Sequence, residues 1–224
     1  MVKYVTFNEL IENLNPADKE NFNFYSTVRG VQQYRIIFET LSKIDSNITY
    51  KDVNSFIRYD KGIKDVLFKY LGTLEEYIKN DILINYDFAP DAILRRNEYH
   101  YFDKLPKCIK KSQSKEEVTE FYKRFALNFG DIVSFIKEYM PNKYDSKKLD
   151  EIVNLRNDVM HHSPLLFNCN FESTKNVAVN RIKYLINMLP LKYPKYIADE
   201  INERTERTKN NIKEEFYALL LEKF

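Results

Sequence analysis

Apolar residues along this chain recur three and four positions apart, the spacing that puts them on one face of an α-helix. The clearest stripe runs through Ile63, Val66, Leu67, Tyr70, Leu71, Leu74 and Ile78. No stretch alternates apolar and polar residues long enough to argue for a sheet, so the pattern predicts an all-α protein. Start and stop signals predict helices over 7–14, 28–44, 50–58, 61–86, 115–127, 131–139, 146–162 and 174–188. Two further helical tracts are expected beyond Pro190, at 195–206 and 208–223, the last with Ile212, Phe216, Leu219, Leu220 and Phe224 on one side. Thr6 with Glu9 and Ser114 with Glu117 read as capping boxes, and Thr49 with Asp52 as a looser variant. We read 1–190 as one helical domain and 191–224 as a helical extension packed on it.

Between Leu149 and Met160 the periodicity marks a helix with a feature that packing does not explain. Taking about 100° per residue, Leu149, Ile152, Val153, Leu155, Val159 and Met160 share an arc roughly 160° wide, and Arg156 falls in its middle. A guanidinium keeps its proton, so an arginine placed there needs a carboxylate, a phosphate or a subunit cleft to receive it. Asn157 and His161 stack on one edge of the stripe, four residues apart, whereas Asp158 and His162 point mostly to the opposite side. Pro164 ends the helix, because the residue before a proline is pushed out of the α region. Both histidines then sit in the last turn, where the helix dipole favours imidazolium. Arg156, Asn157 and His161 together can contact a phosphodiester, stabilise its developing charge and move a proton. The same residues also fit a solvated helix terminus with favourable dipole contacts.

Composition narrows the setting. Seven prolines and four glycines in 224 residues are too few turn residues for an all-β protein, and the length suffices to bury a sizeable core. No apolar run approaches the roughly 18 residues of a membrane span, and Met1–Leu10 lacks the order of a signal peptide, so the expected location is cytoplasmic with no membrane partner. Cys108 and Cys169 are isolated, and no metal or cofactor is expected. A formal net charge of +2 excludes the strongly basic class of nonspecific nucleic-acid binders, so any RNA groove must be local. Lys104, Lys107, Lys110 and Lys111 form the densest cationic stretch. Arg95-Arg96 beside Tyr99, His100 and Tyr101 offers guanidinium and aromatic faces to unpaired bases. Lys79 is a further cationic candidate. Each of these is equally compatible with an ordinary solvated surface.

Arg156-Asn157-x-x-x-His161 near the end of a late helix resembles the signature of the HEPN superfamily, all-helical proteins that include many toxin and antiviral ribonucleases. The longer stretch Leu155-Arg156-Asn157-x-x-x-His161-His162-x-Pro164-Leu165-x-x-Asn168 is similar to the Abi-like branch of bacterial abortive-infection systems. Fainter likenesses fall in the same order: Thr6-Phe7, then Phe56 to Tyr77 with Asp60-Lys61 and Leu74-Glu75, then Asn128-Phe129-Gly130 with Ile132, Phe135 and Ile136. Met160 stands where members commonly carry a small residue, and the tract after Pro190 finds no counterpart.

The resemblance implies a HEPN-like helical bundle with additional C-terminal helices, and a metal-independent endoribonuclease of a toxin-type phage-defence system, with a possible antitoxin partner. Arg156, Asn157 and His161 would be catalytic, with His162 supporting them. Glu75 would face Arg156 and supply its carboxylate; the stripe edge equally permits a surface pair with Lys79, four residues on. Since one chain presents one well-placed histidine, a homodimer with a composite RNA site is expected. The alternative from another class is a catalytically inactive RNA-binding or protein-interaction module.

Overall fold

A computed structural model describes residues 6–85, 129–161, 165–166 and 171–224. Among them every regular element is helical. In chain order these are α1 (Phe7–Glu12), α2 (Pro16–Arg29), α3 (Val31–Ser42), α4 (Tyr50–Asn85), α5 (Phe129–Tyr139), α6 (Ser146–Met160), α7 (Phe171–Met188), α8 (Tyr193–Lys209) and a 3-10 turn (Glu214–Leu219). The helix expected over 115–127, the Ser114–Glu117 box, both cysteines and the cationic segments at Arg95-Arg96 and Lys104 to Lys111 lie outside the described residues, as does His162. No helix among the described residues is long and apolar enough to cross a membrane.

The chain divides into two units, one formed by 1–70 with 155–224 and the other by 71–154. In the first, α1 opens with the expected capping box: Glu9 N–H donates to Thr6 Oγ1 and Thr6 N–H to Glu9 Oε2, both at 3.2 Å. Helix α2 was not expected. Asn15 caps it, accepting from Asp18 N–H at 2.9 Å, and Pro16 supplies a first residue with no backbone N–H left in need of an acceptor. Its buried contribution is Phe22, which meets Phe7, Tyr34 and Tyr50 edge-on at 5.1–6.3 Å. Thr49 and Asp52 cap α4 reciprocally, at 2.9 and 3.2 Å.

The expected break between 58 and 61 is absent, and α4 runs unbroken through Asp60 and Gly62. A Cβ on Gly62 would meet Arg204 Cδ at 3.4 Å, so the glycine gives the α8 side chain room to lie against α4. The C-terminal tract departs further. Helix α8 ends at Lys209, where Asn211 Nδ2 donates to Arg207 O at 2.8 Å, and Leu220 is already extended. Three consecutive leucines, Leu219, Leu220 and Leu221, are buried, a run that no helix face provides. Lys213 ties this tract to the α3–α4 connection, donating to Asp45 Oδ2 and Asn47 O, each at 2.5 Å.

In the unit 71–154, Leu71, Leu74, Ile78 and Ile82 of α4, Ile132, Val133 and Ile136 of α5, and Leu149 and Ile152 of α6 are buried. Asp81 receives Tyr144 Oη and pairs with Lys143 Nζ, both at 2.6 Å. Lys137 pairs with Asp150 at 2.5 Å.

Candidate active site

Helix α6 starts at an N-cap, Asp145, whose Oδ1 accepts Lys147 N–H and Lys148 N–H at 3.0 and 3.2 Å. The Lys148 backbone donor, helped by that of Lys147 and by the Lys148 charge, holds this carboxyl below its ordinary range against the opposing effect of desolvation. The ladder continues to the candidate base: His161 N–H donates to Asn157 O at 2.9 Å. Asn157 and His161 are therefore one helical turn apart, and both are exposed.

Arg156 is half-buried, and its Nε is enclosed. The fully buried ridge of α6 is Leu149, Ile152, Leu155 and Val159, with Val153, Arg156 and Met160 half-buried beside it. The arginine thus lies where the ridge gives way to the polar edge carrying Asn157 and His161. Its head group can be held on one side while the edge beside it remains open to a ligand. A guanidinium, an amide and an imidazole on one strip of helix can bind a phosphodiester, orient it and transfer a proton.

Two neighbours that the pattern along the chain did not reveal position this strip. Asp158 pairs with Arg181 of α7 at 2.8 Å, fixing the side of α6 away from His161. Asp60 of α4 is completely buried and holds the chain beyond the octet of residues 155–162 that carries Arg156, Asn157 and His161: its Oδ1 accepts Leu165 N–H at 3.0 Å and Leu166 N–H at 2.9 Å. Its Oδ2 pairs with Lys64 Nζ at 2.8 Å. In sequence Asp60 reads as the start of a helix; only the distant segment reveals its use. Backbone donors separated from it by about a hundred residues leave no local signature.

Glu75 engages Lys79 at 2.8 Å, the i,i+4 pair that its spacing permits, with both side chains half-buried. Both lie in the unit 71–154, whereas Arg156, Asn157 and His161 belong to the other. Among the described residues no three His, Cys, Asp or Glu side chains cluster as a metal site would require. No protein-family model matches the chain, and neither a curated protein nor a solved structure does.

Proposed function

We propose that this protein is a metal-independent endoribonuclease of the HEPN, Abi-like type, acting in abortive infection. The observation that carries the reading is the placement of half-buried Arg156 beside exposed Asn157 and His161 on one helical turn. In the reaction His161 removes the proton of an RNA 2′-hydroxyl. The 2′-oxygen attacks the adjacent phosphorus, and the bond from phosphorus to the 5′-oxygen of the next nucleotide breaks. The products are a 2′,3′-cyclic phosphate and a 5′-hydroxyl, the leaving oxygen taking a proton from a general acid. Arg156 stabilises the charge that grows on the non-bridging oxygens, and Asn157 orients the phosphate or the imidazole.

A second proton carrier completes this scheme, and a two-fold homodimer supplies it as the His161 of the other copy, both octets lining a shared cleft. Such a toxin-type enzyme works in the cytoplasm and is restrained by an antitoxin partner. The test is incubation of the protein with RNA in EDTA, followed by mapping of the product ends. Cyclic phosphate ends, lost in His161→Ala and Arg156→Ala variants of unchanged helicity, are expected. Metal-dependent cleavage leaving a 5′-phosphate would overturn the proposal, and RNA binding without any product would make the protein an inactive binding module.

A further inference from the structure

Lined by no residue of the octet, but within the same unit, an open groove of about 250 Å³ lies between α4 and α8. From α4 it is lined by Lys51, Asn54, Ser55, Arg58 and Tyr59, and from the α8 side by Arg204, Arg207, Thr208 and Asn211. Leaving out Tyr59, each wall repeats one spacing, i, i+3, i+4 and i+7, so two polar stripes face each other, one along about two turns of α4 and the other along the end of α8 and the turn that follows it. Four cations stand in these walls, and none of the lining residues described is acidic.

The neighbouring carboxylates cancel that charge only in part. Arg207 is paired with Glu203 on its own helix. Glu200, whose field reaches Arg204, is held by Lys69 Nζ at 2.6 Å and Tyr70 Oη at 2.7 Å. Burial raises the Glu200 pKa, but those two donors outweigh it and the carboxyl stays below its ordinary range. The floor is fixed: Tyr59 Oη lies 2.9 Å from Thr205 Oγ1 and accepts Leu221 N–H at 3.1 Å. Gly62, one turn beyond Arg58, lets the Arg204 stem lie against α4.

Shape and chemistry select the ligand. Cations flanked by amide and hydroxyl groups suit phosphate oxygens. The Tyr59 ring is buried in the floor, so no aromatic face is offered for a base to stack on. The volume is below that of pockets that enclose a small molecule. Seven residues of helix span about 10 Å, room for a short run of successive phosphates but not for a long strand.

We propose that this groove is a sequence-independent binding site for the phosphodiester backbone of RNA, separate from the cleavage strip; naming RNA as the strand rests on the ribonuclease reading. The groove would hold the substrate by its backbone while bases remain free for the octet. Binding is measured in a His161→Ala background, so that the RNA survives, by fluorescence anisotropy with a labelled oligouridylate of about a dozen nucleotides. Adding Arg58→Ala and Arg204→Ala should weaken binding about tenfold and reduce the slope of log affinity against log salt by about 1.4, the loss of two phosphate contacts. Unchanged affinity and slope would overturn the proposal, as would absence of binding in the parent.

If the double variant melts early, the exposed pair Lys51→Ala and Arg207→Ala decides the matter by the same two readouts. Cleavage by wild type distinguishes the two claims. RNA cut normally by a groove variant that binds normally refutes the groove and keeps the ribonuclease. Groove-dependent binding by a chain that never cuts RNA does the reverse.

Discussion

Replacing Asp60 should reveal how much of the candidate site rests on one buried carboxylate. In Asp60→Ala, the N–H groups of Leu165 and Leu166 lose their acceptor while remaining buried, and Lys64, itself only 8% exposed, loses its counter-ion. A hydrogen bond to a charged group contributes about 1.5–3 kcal/mol, so two contribute about 3–6 kcal/mol. Breaking a buried ion pair costs about 3–5 kcal/mol by itself. The losses overlap, because the same carboxylate serves both and Lys64 can extend its ammonium towards water. We therefore expect about 4–6 kcal/mol of destabilisation, a large share of the 5–15 kcal/mol typical of a domain.

Asp60→Asn separates the two roles. Its carbonyl oxygen can still accept both N–H groups, while the charge opposite Lys64 disappears, so a smaller loss of about 1–3 kcal/mol is expected. Adding Lys64→Met to Asp60→Asn should recover part of that loss, the coupling between neighbours being about 0.5–3 kcal/mol. Urea unfolding followed by far-ultraviolet circular dichroism measures each quantity. If Asp60→Ala costs under about 1 kcal/mol, or if the alanine and asparagine variants are equally destabilised, the anchoring argument fails. Should the alanine variant not fold at all, the asparagine series still carries the test.

Acid should loosen the C-terminal tract. The hydrogen bond from Lys213, helped by the Asn47 N–H, holds the Asp45 carboxyl below its ordinary 3.8. A carboxyl depressed in the folded state stabilises above its unfolded pKa, and that stability is lost as pH falls through the folded value. The melting temperature of wild type should therefore fall more steeply below about pH 4 than that of Asp45→Asn; parallel curves would contradict this. For assembly, light scattering at micromolar concentration should report twice the chain mass, and a fully active monomer would refute the composite site.

Helix class, the capping boxes at Thr6 and Thr49, and the stripe and polar edge of α6 were legible because each is written within a turn or two of chain. Helix α2 was legible in principle through Asn15-Pro16 and Asp18, but its mostly polar face offers little apolar periodicity beyond Phe22. The split of α4 and the long final helix failed for a different reason. Asp60 and Gly62 look like a helix boundary locally, and it is residues 165, 166 and 204, distant in sequence, that make them interior. The run Phe216 to Leu221 is apolar enough for a helix, yet Phe216 and Leu219 to Leu221 are buried from a 3-10 turn and extended chain that follow the break at Asn210 and Asn211. At the site, sequence singled out Arg156, Asn157 and His161, while their supports Asp60 and Arg181 depend on partners with no fixed spacing.

The bond between Asp60 and Leu165–Leu166 also sets an order of events during synthesis. The helix carrying Asp60 emerges long before its backbone donors do, and the unit containing the octet is built from two segments with 71–154 between them. Closing a loop of that length costs about 4 kcal/mol in chain entropy before the long-range contacts compensate for it. Until residue 166 has left the ribosome, the carboxylate of Asp60 can have only Lys64 and water. The strip bearing His161 then gains its downstream anchor late, so under the proposed ribonuclease reading a nascent chain would be made beside abundant RNA before its candidate site is anchored.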